Sequence, residues 1–426
     1  MQKILSLLGI FFLFIMVILT LIILVVDLNI FNVKKIIYSN YPNLKVRTEL
    51  FNKKSIMNNL NNDYNIKFLP YSQFEKFNYE KKKIIFENNL ILKSKKIEKS
   101  ISYKRYNSFF IDYFEDKIFI TDYLGNVYFF DQRNLFLKKE SVFAKNIKNN
   151  LRTSRVFDAF IHDNKIFVSY TFVKNGCNTI NISFAKLNYE ELNFKNFYNP
   201  KVCNKTGSPG RIQHYKFQNN DGLLISTSEG IHDKPGQNSQ KTNSIFGKIL
   251  FVPFNGEKEL IFSSGHRVIQ GLNVSDQKIL STEHGPRGGD EINLILNNGN
   301  YGWPNVSLGE RYDFNYQDKK IAYKKDHKNN NFNEPVFSFI PSIGISEIIK
   351  LPKSFSIFYE DHYIITSLNG GSIFLTRFDE KLNKVLTIEK VFLNNRIRDI
   401  KYLNNFESII LALEENGEIG VLSKIN

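Results

Sequence analysis

The stretch STEHGPRGGDEINLILNNGNYGWPNVSLGERY, residues 281–312, gathers residue types that can bind a cation. Four glycines fall within fifteen residues, Asp290 and Glu291 are adjacent, and Trp303 is the only tryptophan of the chain. Calcium takes six to eight oxygen ligands from carboxylates and carbonyls. Glycine lets backbone carbonyls approach a cation closely, and proline keeps its carbonyl as its one hydrogen-bonding group. Gly285, Pro286 and the two carboxylates suit such a site.

Two other interpretations compete with calcium for the same residues. A phosphate cradle is not predicted, because GPRGGD matches neither glycine pattern of nucleotide-binding loops and no helix signal follows it. A tight β-turn system in which Trp303 fills the core explains the composition equally well. The pattern alone leaves calcium and the tight turn open.

The surrounding segments predict strands that position this loop. Short apolar runs rich in Ile, Val, Phe and Tyr recur from about residue 88 onward, separated by polar or Gly-containing turns. SFFIDYFEDKIFITDYLGNVYFFDQ predicts three strands, and five further segments follow the same plan. No long segment of helical period follows residue 26. Repeated antiparallel units of this size predict an all-β fold, a six-bladed β-propeller over 88–426, with ligands at its central channel.

The composition excludes some classes of function. The chain has 426 residues, a net charge of +15 and ordinary hydrophobic and charged fractions, so a folded body is expected. Its lysines are scattered in short runs, and no nucleic-acid-binding motif is present. We therefore expect no nucleic-acid partner.

The N-terminus predicts a membrane anchor. ILSLLGIFFLFIMVILTLIILVV, residues 4–26, carries no charge and is long enough to cross a bilayer as a helix. We assign residues 1–30 to this single transmembrane helix and 31–87 to a stalk or irregular cap. More basic residues follow the helix than precede it, which argues weakly against an exported body. Cys177 and Cys203 are compatible with a disulfide or with two buried thiols.

The block GHRVIQGLNVSDQKILSTEHGPRGGDEINLILNNGNYGWP resembles the soluble quinoprotein glucose dehydrogenases and aldose sugar dehydrogenases, the glucose/sorbosone dehydrogenase family. SPGRIQHYKFQNNDGLLISTSEG, SIGISEI, ITSLNGGSIFLTRF and NNRIRDI follow in the order of that family. The resemblance implies a six-bladed propeller, pyrroloquinoline quinone (PQQ) and calcium as cofactors, oxidation of aldoses, and a periplasmic or secreted location.

The resemblance also implies roles for individual residues. Gly285 and Pro286 match the loop whose carbonyls bind the active-site calcium. Glu291 and the backbone of Tyr301 match ligands of a second, structural calcium. Arg267 matches the arginine that faces the quinone and shares in catalysis. The pair Arg396 and Arg398 matches the arginines around the cofactor. For each arginine, the alternative is a surface salt bridge.

The sequence departs from the family at the general base. Gly207, in KTGSPGRIQHYKF, stands where the family has the histidine that takes the sugar proton. His214 is near in sequence, but its odd spacing from Arg211 turns it to the opposite face of the strand. Val268 and Ile269 replace an Asn-Pro pair, and Asn369 stands where some members have a cofactor-binding lysine. We expect loop or packing roles for His266 and His284.

The sequence therefore predicts a membrane-anchored, PQQ- and calcium-dependent aldose dehydrogenase-like protein with a periplasmic body. Its substrate would be an aldose or another small alcohol, and its electron acceptor is not readable. Because Gly207 cannot take a proton, the activity is expected to be impaired. The alternative is a non-catalytic, calcium-stabilised binding propeller. A calcium-dependent lactonase is a weaker alternative, because the sequence shows no ring of inward carboxylates.

Overall fold

The computed structural model describes residues 67–68, 77–87, 108–174, 176–205, 207–229, 237–311 and 323–424. The chain divides into two units, Met1–Asp63 and Tyr64–Asn426, and every described residue belongs to the second. The described part is all-β. It contains no α-helix, only short 3-10 turns at Gln132–Leu135, Gln237–Gln240, Lys328–Asn330, Ile357–Tyr359 and Asn404–Phe406.

Most strands belong to antiparallel groups of four, in which the first strand is innermost. The first group contains β3 (Phe109–Phe114), β4 (Lys117–Asp122), β5 (Val127–Asp131) and β6 (Ser141–Asn149). The next contains β7 (Arg155–His162), β8 (Lys165–Thr171), β11 (Asn181–Lys186) and β13 (Lys195–Tyr198). It is followed by β15 (Ser208–Phe217), β16 (Asn220–Ser228), β17 (Lys248–Pro253) and β18 (Leu260–Ser264).

The same order continues to the C-terminus. One group contains β19 (Ile269–Ser275), β20 (Lys278–Glu283), β21 (Asp290–Ile295) and β23 (Phe337–Phe339). Another contains β24 (Ile345–Lys350), β25 (His362–Ser367), β26 (Ser372–Phe378) and β27 (Val385–Phe392). The last contains β28 (Ile397–Leu403), β29 (Ser408–Leu413), β30 (Glu418–Lys424) and β2 (Phe77–Phe86). The remaining strands are short: β1 (Lys67–Phe68), β9 (Val173–Lys174), β10 (Cys177–Thr179), β12 (Glu191–Leu192), β14 (Cys203–Asn204) and β22 (Gly299–Asn300).

Tight turns connect the first two strands of several groups. Asp163–Asn164, Gln218–Asn219 and Asp276–Gln277 each place two consecutive residues at positive φ. Two such residues form the mirror-image turns whose twist suits a two-residue hairpin. Asn and Asp tolerate this conformation better than most side chains. The polar dipeptides that predicted turns in the sequence therefore fix the local hairpins.

The innermost strands form a closed ring. β3 contacts β7, and the contacts continue through β15, β19, β24 and β28 back to β3. A separate apolar cluster lies between each pair of neighbouring groups, because each sheet buries both of its faces. This arrangement fits a β-propeller, whose radial stacking protects the sheet edges.

The N-terminal strand β2 completes the last group. It pairs antiparallel with β30, and residues Lys83–Phe86 also pair parallel with Ser141–Ala144 of β6. The segment 31–87, predicted as a stalk or cap, thus contributes a strand to the sheet, and the predicted boundary at residue 88 lies too far along the chain. The lysine-rich sequence of β2 hid the strand, because Ile84 and Phe86 are its only buried hydrophobic residues.

The predicted transmembrane segment, residues 4–26, lies outside the described residues. Across the part of the chain that the structure describes, no helix is long and apolar enough to span a membrane. The anchor stays a prediction.

Candidate functional site

A cavity of about 260 Å³ opens where the innermost strands begin, and we call it the channel-mouth cavity. β-bulges interrupt β7, β15, β19, β24 and β28 in their first residues, and such bulges change the direction of nearby side chains. The charged residues that line the channel-mouth cavity are all arginines: Arg155, Arg211 and Arg398. Its uncharged polar and aromatic lining residues are Ser108, Phe110, Tyr123, Ser154, Phe157, Thr171, Asn178, Ser208, Ser226, Ser228 and Gln270.

Two of the predicted cofactor arginines bind the same buried carboxylate, and one of the two lines this cavity. Nε and Nη2 of Arg396 each lie 2.9 Å from Oε1 of Glu414, and Arg398 Nε donates to Oε2 at 2.7 Å. Arg398 Nη1 also donates to Gln270 Oε1 at 3.1 Å. Although burial acts to raise it, the pKa of Glu414 is held below its usual value by the charge and hydrogen bond of Arg398, the charge of Arg396 and a hydrogen bond from Ser108. The pair is thus fixed by one buried carboxylate, rather than by a surface salt bridge, and only Arg398 lines the cavity.

The third predicted arginine, Arg267, contacts the glycine-rich loop and not the channel-mouth cavity. Its Nη1 donates to the carbonyl oxygens of His284, at 3.0 Å, and Gly285, at 2.8 Å. Its guanidinium carbon lies 5.3 Å from the ring centre of Trp303, in a cation–π contact. Arg267 is buried and does not line the channel-mouth cavity. The structure therefore does not bring it together with Arg396 and Arg398 around one cavity.

The glycine-rich loop is folded tightly around its own backbone. A Cβ atom on Gly285 would lie 2.1 Å from the carbonyl oxygen of Gly289, so only glycine fits there. Asp290 is buried and accepts hydrogen bonds from the backbone N–H groups of Gly285, Ile343 and Ile345. Asp290 thus ties the loop to the segment before β24, which explains its place in the motif without a metal.

Trp303 also has the packing role proposed for it. The side chain is 4% exposed, and its backbone N–H donates to Gly265 O at 3.0 Å. Ser239 and Gln240 donate to its carbonyl oxygen, each at 2.7 Å. Trp303 thus packs within the turn, as in one of the two alternatives that the sequence left open.

The residues predicted for the structural calcium surround a small void. A cavity of about 10 Å³, the volume that one water-sized particle needs, is lined by Glu283, Glu291, Tyr301, Arg267 and Trp303 among others. Burial, aided by the neighbouring Glu283 carboxylate, raises the pKa of Glu291 to about 8. The negative charge of two buried carboxylates at one void would be balanced by a bound cation. Even so, the described residues hold no group of three or more His, Cys, Asp or Glu side chains arranged for a metal.

We expect Glu291→Gln to abolish the fall in the free energy of unfolding that the cation-free protein shows as pH rises. A carboxyl whose pKa is raised by folding lowers stability as pH rises from its unfolded value to its folded value, here from about 4.5 to about 8. The loss should be on the order of a few kcal/mol in the parent and absent from the variant. Thermal unfolding in chelator between pH 5 and 9 tests this. If the unfolding temperature of both proteins fell equally with rising pH, the raised pKa would not belong to Glu291.

Loop or packing roles are expected for both histidines of the motif, His266 and His284. His266 Nδ1 lies 3.0 Å from Glu283 Oε2, Nε2 lies 2.8 Å from Ser263 Oγ, and the ring stacks on Tyr301. Burial lowers the pKa of His284. Both side chains lie within the loop system, and neither lines the channel-mouth cavity.

The position predicted for the general base is filled by another side chain. A Cβ atom on Gly207 would lie 2.4 Å from Cδ1 of Phe246, which is buried. His214 offers no substitute, because it lies seven residues further along β15, roughly 20 Å away at the rise of a strand. Its ring stacks on His162 with centres 3.9 Å apart, and its Nε2 lies 3.2 Å from Asp221.

A ring of buried charge on the innermost strands was missed in the sequence. The carboxylates each accept a backbone N–H from a neighbouring innermost strand; they are Asp112, Asp158, Glu347 and Asp399. Arg211 and Lys401 balance part of their charge. The expectation that no such ring exists is wrong. The signal was a single acid inside an apolar strand, as in FFIDYF and RVFDAF. Since arginine, lysine and backbone groups already occupy these oxygens, the ring does not support a lactonase.

Cys177 and Cys203 form a disulfide, with Cα atoms 5.6 Å apart. It links β10 to β14, which pair beside the channel-mouth cavity at Asn178. The bond settles the alternative that the sequence left open.

An antiparallel ring with a cavity where its innermost strands begin fits the architecture of a β-propeller. The chain belongs to the Glucose / Sorbosone dehydrogenase family, whose model matches residues 109–421. It is 36% identical over 129 residues to quinoprotein glucose dehydrogenase B of Acinetobacter calcoaceticus, covering 27% of this chain and 26% of that protein. It is 29% identical over 188 residues to an aldose sugar dehydrogenase of Escherichia coli strain K12, covering 41% and 47%.

Solved structures show the same fold. The apo-form of the soluble aldose sugar dehydrogenase from Escherichia coli superposes with a TM-score of 0.61 at 20% identity, covering 74% of this chain and 96% of that one. The PQQ-bound aldose sugar dehydrogenase from Streptomyces coelicolor gives 0.53 at 17% identity, covering 72% and 90%. The sequence alignments span about half or less of the curated relatives' lengths.

Proposed function

We propose that the chain is a membrane-anchored, six-bladed propeller that binds PQQ and oxidises an aldose-type sugar, at a rate limited by its missing base. The observation that carries this proposal is the channel-mouth cavity, which is lined by arginines and hydroxyl groups and by no described carboxylate. The closed ring of four-stranded groups and the family membership support the six blades.

The positively charged arginines of the cavity complement the negative charge of the quinone. PQQ carries carboxylates, and guanidinium groups bind carboxylates with two parallel hydrogen bonds. Arg398, oriented by Glu414 and Gln270, would hold one such group, with Arg396 beside it. When bound, the quinone supplies an acceptor for the hydride of the sugar. The chain's contribution is to orient both partners and to favour negative charge in the cavity.

The residues predicted for the active-site calcium supply only part of the ligands that this ion needs. The Gly285 and Pro286 carbonyls are two oxygens where calcium needs six to eight, and Gly285 O already accepts from Arg267. The remaining ligands would have to come from the bound quinone and water. The void lined by Glu283 and Glu291, which Gly285, Pro286 and Tyr301 also line, is the better candidate for a calcium held by the protein.

The missing base limits the rate. General-base catalysis contributes about 10² to 10⁴-fold, and no described histidine lines the cavity. The second candidate function, a calcium-stabilised binding propeller without chemistry, is favoured by the Phe246 ring in the place of the base.

We further propose a periplasmic body, tethered by the apolar segment 4–26. The disulfide between Cys177 and Cys203 supports export, because disulfides persist in oxidising compartments. The positive charges that follow the segment argue the other way.

We expect the full chain, purified in mild detergent, to retain PQQ and to reduce a dye slowly with aldoses. Arg398→Gln should weaken PQQ retention about tenfold or more, because a charge-assisted hydrogen bond is lost. The control is Arg152→Gln, an exposed arginine outside the cavity. Retention is measured by absorbance after gel filtration. Calcium-dependent stabilisation without PQQ retention would favour the binding propeller.

A further inference from the structure

A small sheet of three short strands forms one side of the channel-mouth cavity. The strands β9, β10 and β14 pair with one another, and in the described part of the chain they pair with no strand of the four-stranded groups. Val173 of β9 and Asn178 of β10 both line the cavity. We call these three strands the wall sheet. It contributes to the cavity, but it lies outside the ladders of hydrogen bonds that hold the groups together.

Apolar packing does not hold the wall sheet in place. Val173 is 48% exposed, Cys203 is exposed, and no side chain that the structure describes in these strands is buried. The six apolar clusters likewise contain none of their described residues. A segment with few buried apolar contacts opens locally at a low cost in free energy. The position of the wall sheet therefore depends on polar contacts and on covalent bonds.

A disulfide and surface hydrogen bonds position the wall sheet. The backbone N–H of Val173 donates to Ser154 Oγ at 3.0 Å, which links β9 to the segment before β7. This bond lies at the surface, where water competes for both groups, so it contributes little net stability. The bond between Cys177 and Cys203 joins β10 covalently to β14. Water cannot replace this link, so the disulfide is what fixes the wall sheet most firmly.

We propose that this disulfide is a redox-sensitive latch, whose reduction frees the wall sheet and opens the channel-mouth cavity. Exposed disulfides are the labile ones, and Cys203 is exposed. A thiolate of a dithiol reductant attacks the sulfur of Cys203, the S–S bond breaks, and Cys177 leaves as a thiolate. The second thiol of the reductant then displaces Cys203. The protein gains two electrons and two protons, and the dithiol becomes a cyclic disulfide. The latch itself does not depend on the proposed function, and only the identity of the released ligand, PQQ, rests on it.

Hydrogen exchange of the full chain in mild detergent tests the latch. When dithiothreitol is added, we expect the backbone N–H groups of the wall sheet to exchange at least about tenfold faster, because the cross-link no longer restricts local opening. The neighbouring strands β8 and β11 should keep their exchange rates. Alkylation of free thiols in the native protein shows when the bond has been reduced. The matched control is Cys177→Ser/Cys203→Ser, which should exchange rapidly in the wall sheet with or without dithiothreitol.

Three results would overturn the latch. The first is a disulfide that stays oxidised in dithiothreitol while the protein is folded. The second is a reduced protein whose wall sheet exchanges as slowly as before. The third is a loss of protection in β8 and β11 together with the wall sheet, since the bond would then stabilise the whole group. If the serine variant does not fold, the parent protein in reductant decides alone.

Release of PQQ tests the opening of the cavity. Cys177→Ser/Cys203→Ser, loaded with PQQ and kept free of thiols, should release it at least about tenfold faster than the parent, because one wall of its cavity is no longer held. Equal release rates would overturn the opening. A parent that retains no PQQ would contradict the dehydrogenase proposal. Hydrogen exchange at Val173 and Asn178, which line the cavity, would then still decide on the latch and on the opening.

Discussion

The double variant Gly207→His/Phe246→Ala should reduce dye about 10² to 10⁴-fold faster than the parent when loaded with PQQ, because it supplies a general base. Gly207→His alone should give no such gain. In the present backbone, the Cβ atom would lie 2.4 Å from Cδ1 and 2.5 Å from Cε1 of the Phe246 ring. Such overpacking typically costs 1–3 kcal/mol, so the single variant should unfold at a lower temperature.

A non-basic side chain of similar shape provides the control. Gly207→Asn/Phe246→Ala opens the same space but cannot accept a proton at neutral pH. The rate gain of the histidine variant over the asparagine variant should grow as pH rises through about 6.5, where a free imidazole loses its proton. A histidine variant that retains PQQ, unfolds like its control and turns over no faster would contradict the assignment of position 207.

The contrast between Gly207 and the hairpins shows which features the sequence could predict. Turns such as Asp163–Asn164 depend on two adjacent residues, and strand alternation depends on neighbours two positions apart. Both signals are local, so the strands and their antiparallel pairing could be predicted. Phe246 lies 39 positions from Gly207, and no local pattern indicates that its ring occupies the position of the missing side chain.

The same distinction between local and distant signals applies to the site residues. Arg396 lies directly before β28 and Arg398 lies within it, so the two positions that the resemblance singled out are near one another by their spacing alone. The resemblance could not indicate that Glu414, on another segment, fixes them. The partners of Arg267 are carbonyls whose direction depends on the folded loop. Residue types are thus predictable where a motif carries them, but hydrogen-bond partners from distant strands are not.

The buried charge ring leads to the largest expected effect on stability. Arg211 Nη1 lies 3.0 Å from Asp158 Oδ1 and its Nε 3.0 Å from Glu347 Oε2, and all three side chains are at most 6% exposed. Arg211→Met keeps the side-chain bulk but leaves three buried carboxylates, those of Asp158, Glu347 and Asp399, without this cation. Removing one partner of a buried pair typically costs about 3–5 kcal/mol. Arg377→Met, at an exposed arginine, should stay within about 0.5 kcal/mol of the parent.

The pH dependence distinguishes lost charge balance from lost packing. Burial already raises the pKa of Glu347 to about 7 while Arg211 opposes that rise, so the variant's carboxyls should have still higher pKa values. An acid with a raised folded pKa costs stability only as pH climbs above its unfolded value. The deficit of Arg211→Met should therefore be largest near pH 8 and shrink toward pH 5, where these carboxyls take up protons. Denaturant unfolding at both pH values measures it. A deficit equal at both would assign the role of Arg211 to packing, because the loss of side-chain contacts does not titrate.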